Sequence, residues 1–120
     1  MKSQTAFRIS AVSGFLAVAL GAFGAHGLQE LLERNDRVET WKTAVLYHLA
    51  HAVVLLILAT LRPLRIAAWW LVFSGLVIFS GTLYTLALTN VKWLGAITPL
   101  GGACLLGGWL ALAVGKTRQE

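Results

Sequence analysis

Four apolar stretches, each long enough to cross a lipid bilayer, constrain the fold of this chain more than any other feature. Apart from Arg8 at the edge of the first, they contain no charged residue, and they cover residues 8–28, 43–61, 66–89 and 93–115. An α-helix rises about 1.5 Å per residue, so about 20 residues span a hydrocarbon core of about 30 Å. The sequence therefore predicts an all-α integral membrane protein.

The composition of the chain agrees with this prediction. Charged residues make up 12% of the chain, whereas soluble domains carry about 25%. The four spans use most of the 120 residues, so we expect one domain over residues 1–120 without a soluble catalytic module. The first apolar stretch is longer than the core of a signal peptide, about 7 to 15 residues, which predicts that it is retained as a helix.

The connections between the stretches predict how the helices are arranged. Most are short, and short connections make consecutive helices antiparallel neighbours in an up-down four-helix bundle. Leu28, Leu31 and Leu32 follow the first stretch at helical spacing, which extends the first helix beyond the membrane. The predicted helices cover about residues 8–33, 37–61, 66–89 and 93–115.

The basic residues predict the orientation of the bundle. Six lie on the side of the termini and four on the opposite side, in the two sets Lys2, Arg8, Arg62, Arg65, Lys116 and Arg118 against Arg34, Arg37, Lys42 and Lys92. The positive-inside rule then predicts both termini in the cytoplasm. The net charge of +5 is scattered over termini and loops. We therefore expect the lipid bilayer as the partner and no nucleic acid.

Small residues predict where the helices pack closely. Within lipid, helices associate through van der Waals contact over small side chains rather than through hydrophobicity. Two stripes have the required spacing of four residues: Ala17, Gly21 and Ala25 on the first helix, with Gly24 beside them, and Ala103, Gly107 and Ala111 on the fourth.

Polar side chains predict a band inside the bilayer. With the predicted topology, the band lies within roughly 13 Å of the outer surface, at 1.5 Å per residue. Its members are His26, Tyr47, His48, His51, Ser80, Tyr84 and Thr98. Pro99, Gly101 and Gly102 reach the same level and predict a kink that opens the fourth helix locally, because proline removes a backbone donor.

Two interpretations of this band remain open. The histidines can form an interhelical hydrogen-bond network that fixes helix register, or they can bind a proton, ion, small solute, metal or haem. No carboxylate or thiolate is predicted near them, and no nucleophile with a base is found, so we predict no metal site, no cofactor and no enzymatic activity.

Four motifs in a fixed order carry a resemblance to a known family. GAFGAHGL, WKTAVLYHLAH, FSGTLYTLAL and ITPLGG, the last followed by GW, resemble the YgdD/YwdK-like family of small inner-membrane proteins. The resemblance covers nearly the whole chain and implies a four-span, multi-pass protein of the bacterial inner (plasma) membrane. It marks positions without assigning them a role: Gly24, His26, Trp41, Tyr47, His48, Ser80, Gly81, Tyr84, Thr98, Pro99 and Gly101.

The sequence thus predicts a structural or accessory membrane component, in a homo-oligomer or a larger membrane complex. The alternative is a small homo-oligomeric transporter or channel for an ion or small solute, using His48, His51 and the kinked fourth helix. The membrane-embedded glutamate of small multidrug exporters is absent from the predicted spans.

Overall fold

The computed structural model describes residues 1–115, and all its regular elements are helices. In chain order they are α1 Ser3–Ala25, α2 Gln29–Arg34, α3 Val38–Thr60, α4 Ile66–Thr89 and α5 Leu94–Val114. All except α2 are long and apolar enough to cross a membrane. The predicted all-α fold with four spans is confirmed. Lys116 and Arg118, used to predict orientation, lie outside the described residues.

The first helix differs from the predicted range of 8–33. It starts at Ser3 and ends at Ala25, and the short helix α2 follows after a turn. At the turn, His26 has φ −126° and ψ −80° and leaves the helical conformation. The Phe23 carbonyl accepts hydrogen bonds from the His26 N–H at 3.2 Å and the Leu28 N–H at 2.8 Å. The second bond spans five residues, as is typical of a helix C-terminus, and it closes α1.

The four long helices pack in the order α1, α3, α4, α5. Each contacts the next, whereas within residues 1–115 no Cα atom of α1 lies within 8 Å of one in α4 or α5, and none of α3 within 8 Å of one in α5. Side chains bridge two of these wider gaps: Trp69 of α4 donates to Ser10 of α1, and Trp109 of α5 donates to His51 of α3. The bundle is therefore open between α1 and α5.

The closest backbone contact lies between α4 and α5, at Gly75 and Gly101. A Cβ atom on Gly101 would lie 2.8 Å from the Gly75 carbonyl oxygen and would overlap the Phe79 backbone. A Cβ atom on Gly108 would lie 2.6 Å from the Val72 side chain. Only residues without a side chain let two helices approach this closely.

The contact face of α5 therefore differs from the predicted stripe. Ala103 is exposed and Ala111 is half-buried, and a Cβ atom on Gly107 would meet Leu71 at an ordinary 3.9 Å. Gly101 and Gly108 face α4 instead, because the deepest contact needs glycine on both sides. Helix α5 continues through Pro99, which has no N–H to donate to the Gly95 carbonyl, and the kink there stays a prediction. Gly102 meets only the Phe79 ring.

The contact between α1 and α3 uses part of the predicted stripe on the first helix. Ala17 is fully buried, and a Cβ atom on Gly21 would lie 3.2 Å from Val45. A Cβ atom on Gly24 would overlap the indole of Trp41, whose Nε1 donates to the Leu20 carbonyl at 2.9 Å. Gly24 thus makes room for an indole rather than for a helix backbone, and Ala25 is exposed.

The polar hairpin around α2 closes one end of the bundle. Asn35 Nδ2 donates to the carbonyls of Ala87 at 2.9 Å and Leu88 at 3.3 Å, and Arg37 Nε donates to Asn90 Oδ1 at 3.0 Å. These carbonyls belong to the last turn of α4, where no helical donor remains. The hairpin therefore caps α4.

Candidate functional site

His48 connects three of the long helices. Its side chain is 9% exposed. Nδ1 lies 2.9 Å from the Tyr84 hydroxyl of α4, and Nε2 lies 3.2 Å from the Ser13 hydroxyl of α1. Ser13 and His48 are each the eleventh residue of a 23-residue helix. One imidazole thus joins α1, α3 and α4, near the middle of α1 and α3.

The hydrogens of this group can be counted. A neutral imidazole carries one N–H, and Ser13 and Tyr84 carry one O–H each, whereas the two contacts use only two hydrogens. If Nε2 is protonated, it donates to Ser13 and the serine hydrogen is spare. If Nδ1 is protonated, it donates to Tyr84 and the tyrosine hydrogen is spare. In both cases one hydroxyl hydrogen is available for a further acceptor.

Trp41 holds Tyr84 in this position. The ring centroids of the two residues are 4.7 Å apart at an angle of 59°. Because Trp41 occupies the space that Gly24 leaves open on α1, the glycine indirectly supports the tyrosine that contacts His48. Gly24 therefore affects the contact between Tyr84 and His48 through the indole of Trp41.

His51 belongs to a second group, between α3 and α5. Nδ1 lies 2.9 Å from the Tyr47 carbonyl, and the Trp109 indole N–H lies 3.1 Å from Nε2. A carbonyl can only accept and an indole can only donate, so Nδ1 carries the hydrogen and Nε2 carries the lone pair. The Tyr47 ring, 40% exposed, stacks on the imidazole at an angle of 9°. The contacts thus define a neutral imidazole in one tautomer.

The other predicted members of the band make separate contacts. Ser80 donates to the Ala44 carbonyl at 2.9 Å, and Thr98 meets Thr82 at 2.7 Å. His26 is exposed and its side chain makes no hydrogen bond within residues 1–115. The structure therefore does not bring the three histidines together in one group. His26 lies at an exposed turn just after the last residue of α1, and His48 and His51 have separate partners.

Several residues of these networks were not predicted, among them Ser10, Ser13 and Trp109. Ser10 donates to the Ala6 carbonyl at 2.7 Å and accepts from the Trp69 indole at 3.2 Å, and Ser13 contacts His48. The two serines are three residues apart, hence on one face of α1. His48 and His51 are also three residues apart. This equal spacing of the serines and the histidines was the feature of the sequence that could have indicated their contact. Trp109 donates to His51.

The two histidines open into different grooves. The first, named here the α1–α4 groove, has a volume of about 500 Å³, and its polar lining consists of Arg8, Ser13, His48, Ser80 and Tyr84. The second, the α3–α5 groove, has about 430 Å³ and includes Tyr47, His51, Pro99 and Trp109. Within residues 1–115, no three His, Cys, Asp or Glu side chains are grouped so that they could hold a metal ion.

Comparisons with known proteins support the motif resemblance. Residues 20–102 match the profile of a family described as "Protein of unknown function (DUF423)". The chain is 40% identical to the UPF0382 membrane protein YwdK of Bacillus subtilis over 116 residues, which cover 92% of this chain and 94% of the relative.

Two further relatives have similar coverage. A UPF0382 membrane protein of Staphylococcus epidermidis is 42% identical over 110 residues, 88% of this chain and 89% of the relative. The UPF0382 inner membrane protein YgdD of Escherichia coli is 39% identical over 126 aligned positions, 100% of this chain and 95% of the relative. No solved structure matches the chain.

Proposed function

Because the chain belongs to the DUF423 family of membrane proteins, whose description assigns no activity, we propose its role from the geometry: a structural or accessory component of the bacterial inner membrane. In this proposal the groups around His48 and His51 hold the helices in register. The observation that carries it is that all four ring nitrogens of these two histidines already have partners inside the protein.

The energetics of the bilayer support this role. A polar group without a partner in the hydrocarbon region costs several kcal/mol. Hydrogen bonds between membrane helices contribute about 0.6 kcal/mol on average and at most about 1.7 kcal/mol. Among residues 1–115, no buried side-chain nitrogen or oxygen lacks a partner. Paired groups of this kind favour one arrangement of the helices and offer few free ligands for a solute.

The distribution of acidic residues also favours a structural role over transport. Between positions 40 and 119 the sequence has no Asp or Glu, and the remaining acids before Glu120 lie between positions 30 and 39. Transporters commonly place ionisable residues where they face a water-filled pathway. Here the two buried histidines are joined to Ser13, Tyr84, a backbone carbonyl and Trp109 instead.

The proposal is tested by comparing flux with stability. The wild type and a His48→Ala, His51→Ala variant are reconstituted in liposomes, and proton and potassium flux is measured beside empty vesicles. We expect no flux above that of empty vesicles for either protein, and a lower unfolding temperature for the variant. Flux by the wild type that the variant lacks would contradict the proposal and support the transporter.

The accessory role has its own test. We expect native electrophoresis of membranes in mild detergent to give a species of defined stoichiometry, formed by several copies or with another membrane protein, above the 12.9 kDa of one chain. Repeated recovery of a single bare chain would contradict an accessory role.

A further inference from the structure

The α1–α4 groove is long and narrow. Its lining on α1 runs from Arg8 to Leu20, which is about 18 Å along the helix axis, and on α4 from Phe73 to Tyr84, which is about 16 Å. Its volume of about 500 Å³ lies in the range of ligand pockets, about 300 to 1,000 Å³. A helix of this length and about 10 Å diameter occupies about 1,400 Å³, so the groove fits a single chain-like molecule better than a helix.

The walls of the groove are apolar along most of this length. Four aliphatic side chains line it on α1, and three apolar side chains face them from α4: Ile9, Val12, Leu16 and Leu20, then Phe73, Leu76 and Val77. Val12 is 57% exposed and Val77 55% exposed, so neither side chain is covered by the protein itself. These walls suit an acyl chain that lies parallel to the helices.

Arg8 gives one end of the groove a positive charge. It lies in the second turn of α1, and its side chain lines the groove. Within residues 1–115 every Asp and Glu lies between positions 30 and 39, beyond the opposite end of α1, so Arg8 has no carboxylate partner there. A guanidinium donates two parallel hydrogen bonds to a phosphate, and basic pockets between membrane helices bind anionic headgroups.

Ser13 adds a hydrogen-bond donor farther along the groove. It follows Arg8 by five residues, which is about 7.5 Å along α1. In the tautomer with His48 Nε2 protonated, the serine hydroxyl hydrogen is the spare one and can be donated to an ester carbonyl next to a phosphate. Arg8, Ser13 and the apolar walls thus follow one another along the groove in the order in which a phospholipid carries its phosphate, its ester and its acyl chain.

We propose that the α1–α4 groove binds one acyl chain of an anionic phospholipid, with the phosphate at Arg8 and an ester carbonyl at Ser13. This inference does not depend on the structural role proposed above. The lipid stabilises the side of the bundle on which α1 and α4 do not touch through their backbones.

Two glycines provide a matched pair of variants. A Cβ atom on Gly81 or on Gly95 would meet no heavy atom within 4 Å, but Gly81 lines the groove and Gly95 lies on the exposed surface of α5. Gly81→Leu therefore fills the groove without a backbone clash, and Gly95→Leu is its control. Arg8→Gln removes the charge, and Lys92→Gln removes an exposed charge from the connection between α4 and α5.

The experiment is native mass spectrometry of the detergent-solubilised protein with added phosphatidylglycerol or phosphatidylcholine of the same acyl chains. We expect one phosphatidylglycerol per wild-type chain and loss of this species in Gly81→Leu. In Arg8→Gln the preference for phosphatidylglycerol should fall about fivefold, the equivalent of about 1 kcal/mol for one basic residue near an anionic lipid. Gly95→Leu and Lys92→Gln should bind as the wild type does.

Other outcomes would overturn the proposal. The proposal is wrong if the wild type binds both lipids equally or if Gly81→Leu binds lipid as the wild type does. It is also wrong if Gly81→Leu changes only the ratio of monomer to dimer, because that result would indicate a second copy of the chain in the groove. If Gly81→Leu does not fold, as judged by gel filtration, Val77→Phe provides a second obstruction at a half-exposed position, with the same expected loss.

Discussion

At the scale of single residues, the contact between His51 and Trp109 joins two helices whose backbones do not touch. Trp109→Phe keeps an aromatic ring but removes the N–H, so the Nε2 lone pair of His51 loses its donor. We expect the free energy of unfolding to fall by about 0.6 to 1.7 kcal/mol, as for other hydrogen bonds between membrane helices. Unfolding by sodium dodecyl sulfate in mixed micelles measures this loss.

Trp93→Phe is the matched control for this substitution. Trp93 is 64% exposed, and its indole makes no hydrogen bond within residues 1–115. Its replacement should leave the free energy of unfolding within about 0.5 kcal/mol of the wild type. Equal losses for the two variants would show that the indole N–H of Trp109 does not stabilise the bundle.

At the scale of helices, the contact between α4 and α5 depends on which glycine faces the neighbour. Gly101→Ala places a Cβ atom 2.8 Å from the Gly75 carbonyl oxygen and into the Phe79 backbone. Because backbone atoms cannot move aside as side chains do, the two helices must separate, and we expect a loss of about 1 to 3 kcal/mol in stability. The same unfolding assay measures it.

The neighbouring glycine gives the opposite expectation. In Gly102→Ala the new Cβ atom meets only the Phe79 ring, at 3.9 Å. Alanine also has a higher helix propensity than glycine, by up to about 1 kcal/mol. This variant should be as stable as the wild type or more so, and a loss equal to that of Gly101→Ala would contradict the assigned contact face.

The difference between predicted and observed packing on α5 has a physical reason. Ala103, Gly107 and Ala111 form a regular stripe, but α5 carries small residues on more than one face, and spacing alone does not select among them. Gly101 and Gly108 are selected because α4 offers Gly75 and Val72 opposite them. Helix pairing is a property of two sequences, so a stripe on one helix does not define the contact.

At the scale of the whole molecule, the spans were predictable and the polar contacts were only partly so. Length and hydrophobicity define the four spans, because the bilayer thickness sets the number of residues. The turn at His26 was missed because Leu28, Leu31 and Leu32 continue the helical spacing through it. Ser13 and Trp109 were missed as partners because their roles depend on which helices are neighbours, which the apolar stretches do not specify.

The orientation of the molecule remains a prediction with a direct test. With Cys104, the lone cysteine, replaced by alanine, a Gln29→Cys variant should react with a membrane-impermeant maleimide added to intact spheroplasts. A Gln4→Cys variant should react only after the membrane is opened, because we expect the N-terminus in the cytoplasm. The reverse pattern of labelling would contradict the predicted orientation.

The most direct test of the proposed role is the nitrogen spectrum of the histidines in a bilayer. The protein is labelled with ¹⁵N-histidine for nuclear magnetic resonance, and a His51→Gln variant assigns the signals of His51. We expect a protonated Nδ1 and an unprotonated Nε2 in His51. Addition of Zn²⁺ should leave both signals unchanged. An imidazolium, the opposite tautomer or a zinc-dependent shift would mean that His51 is open to a proton or a metal and is not a neutral link between α3 and α5.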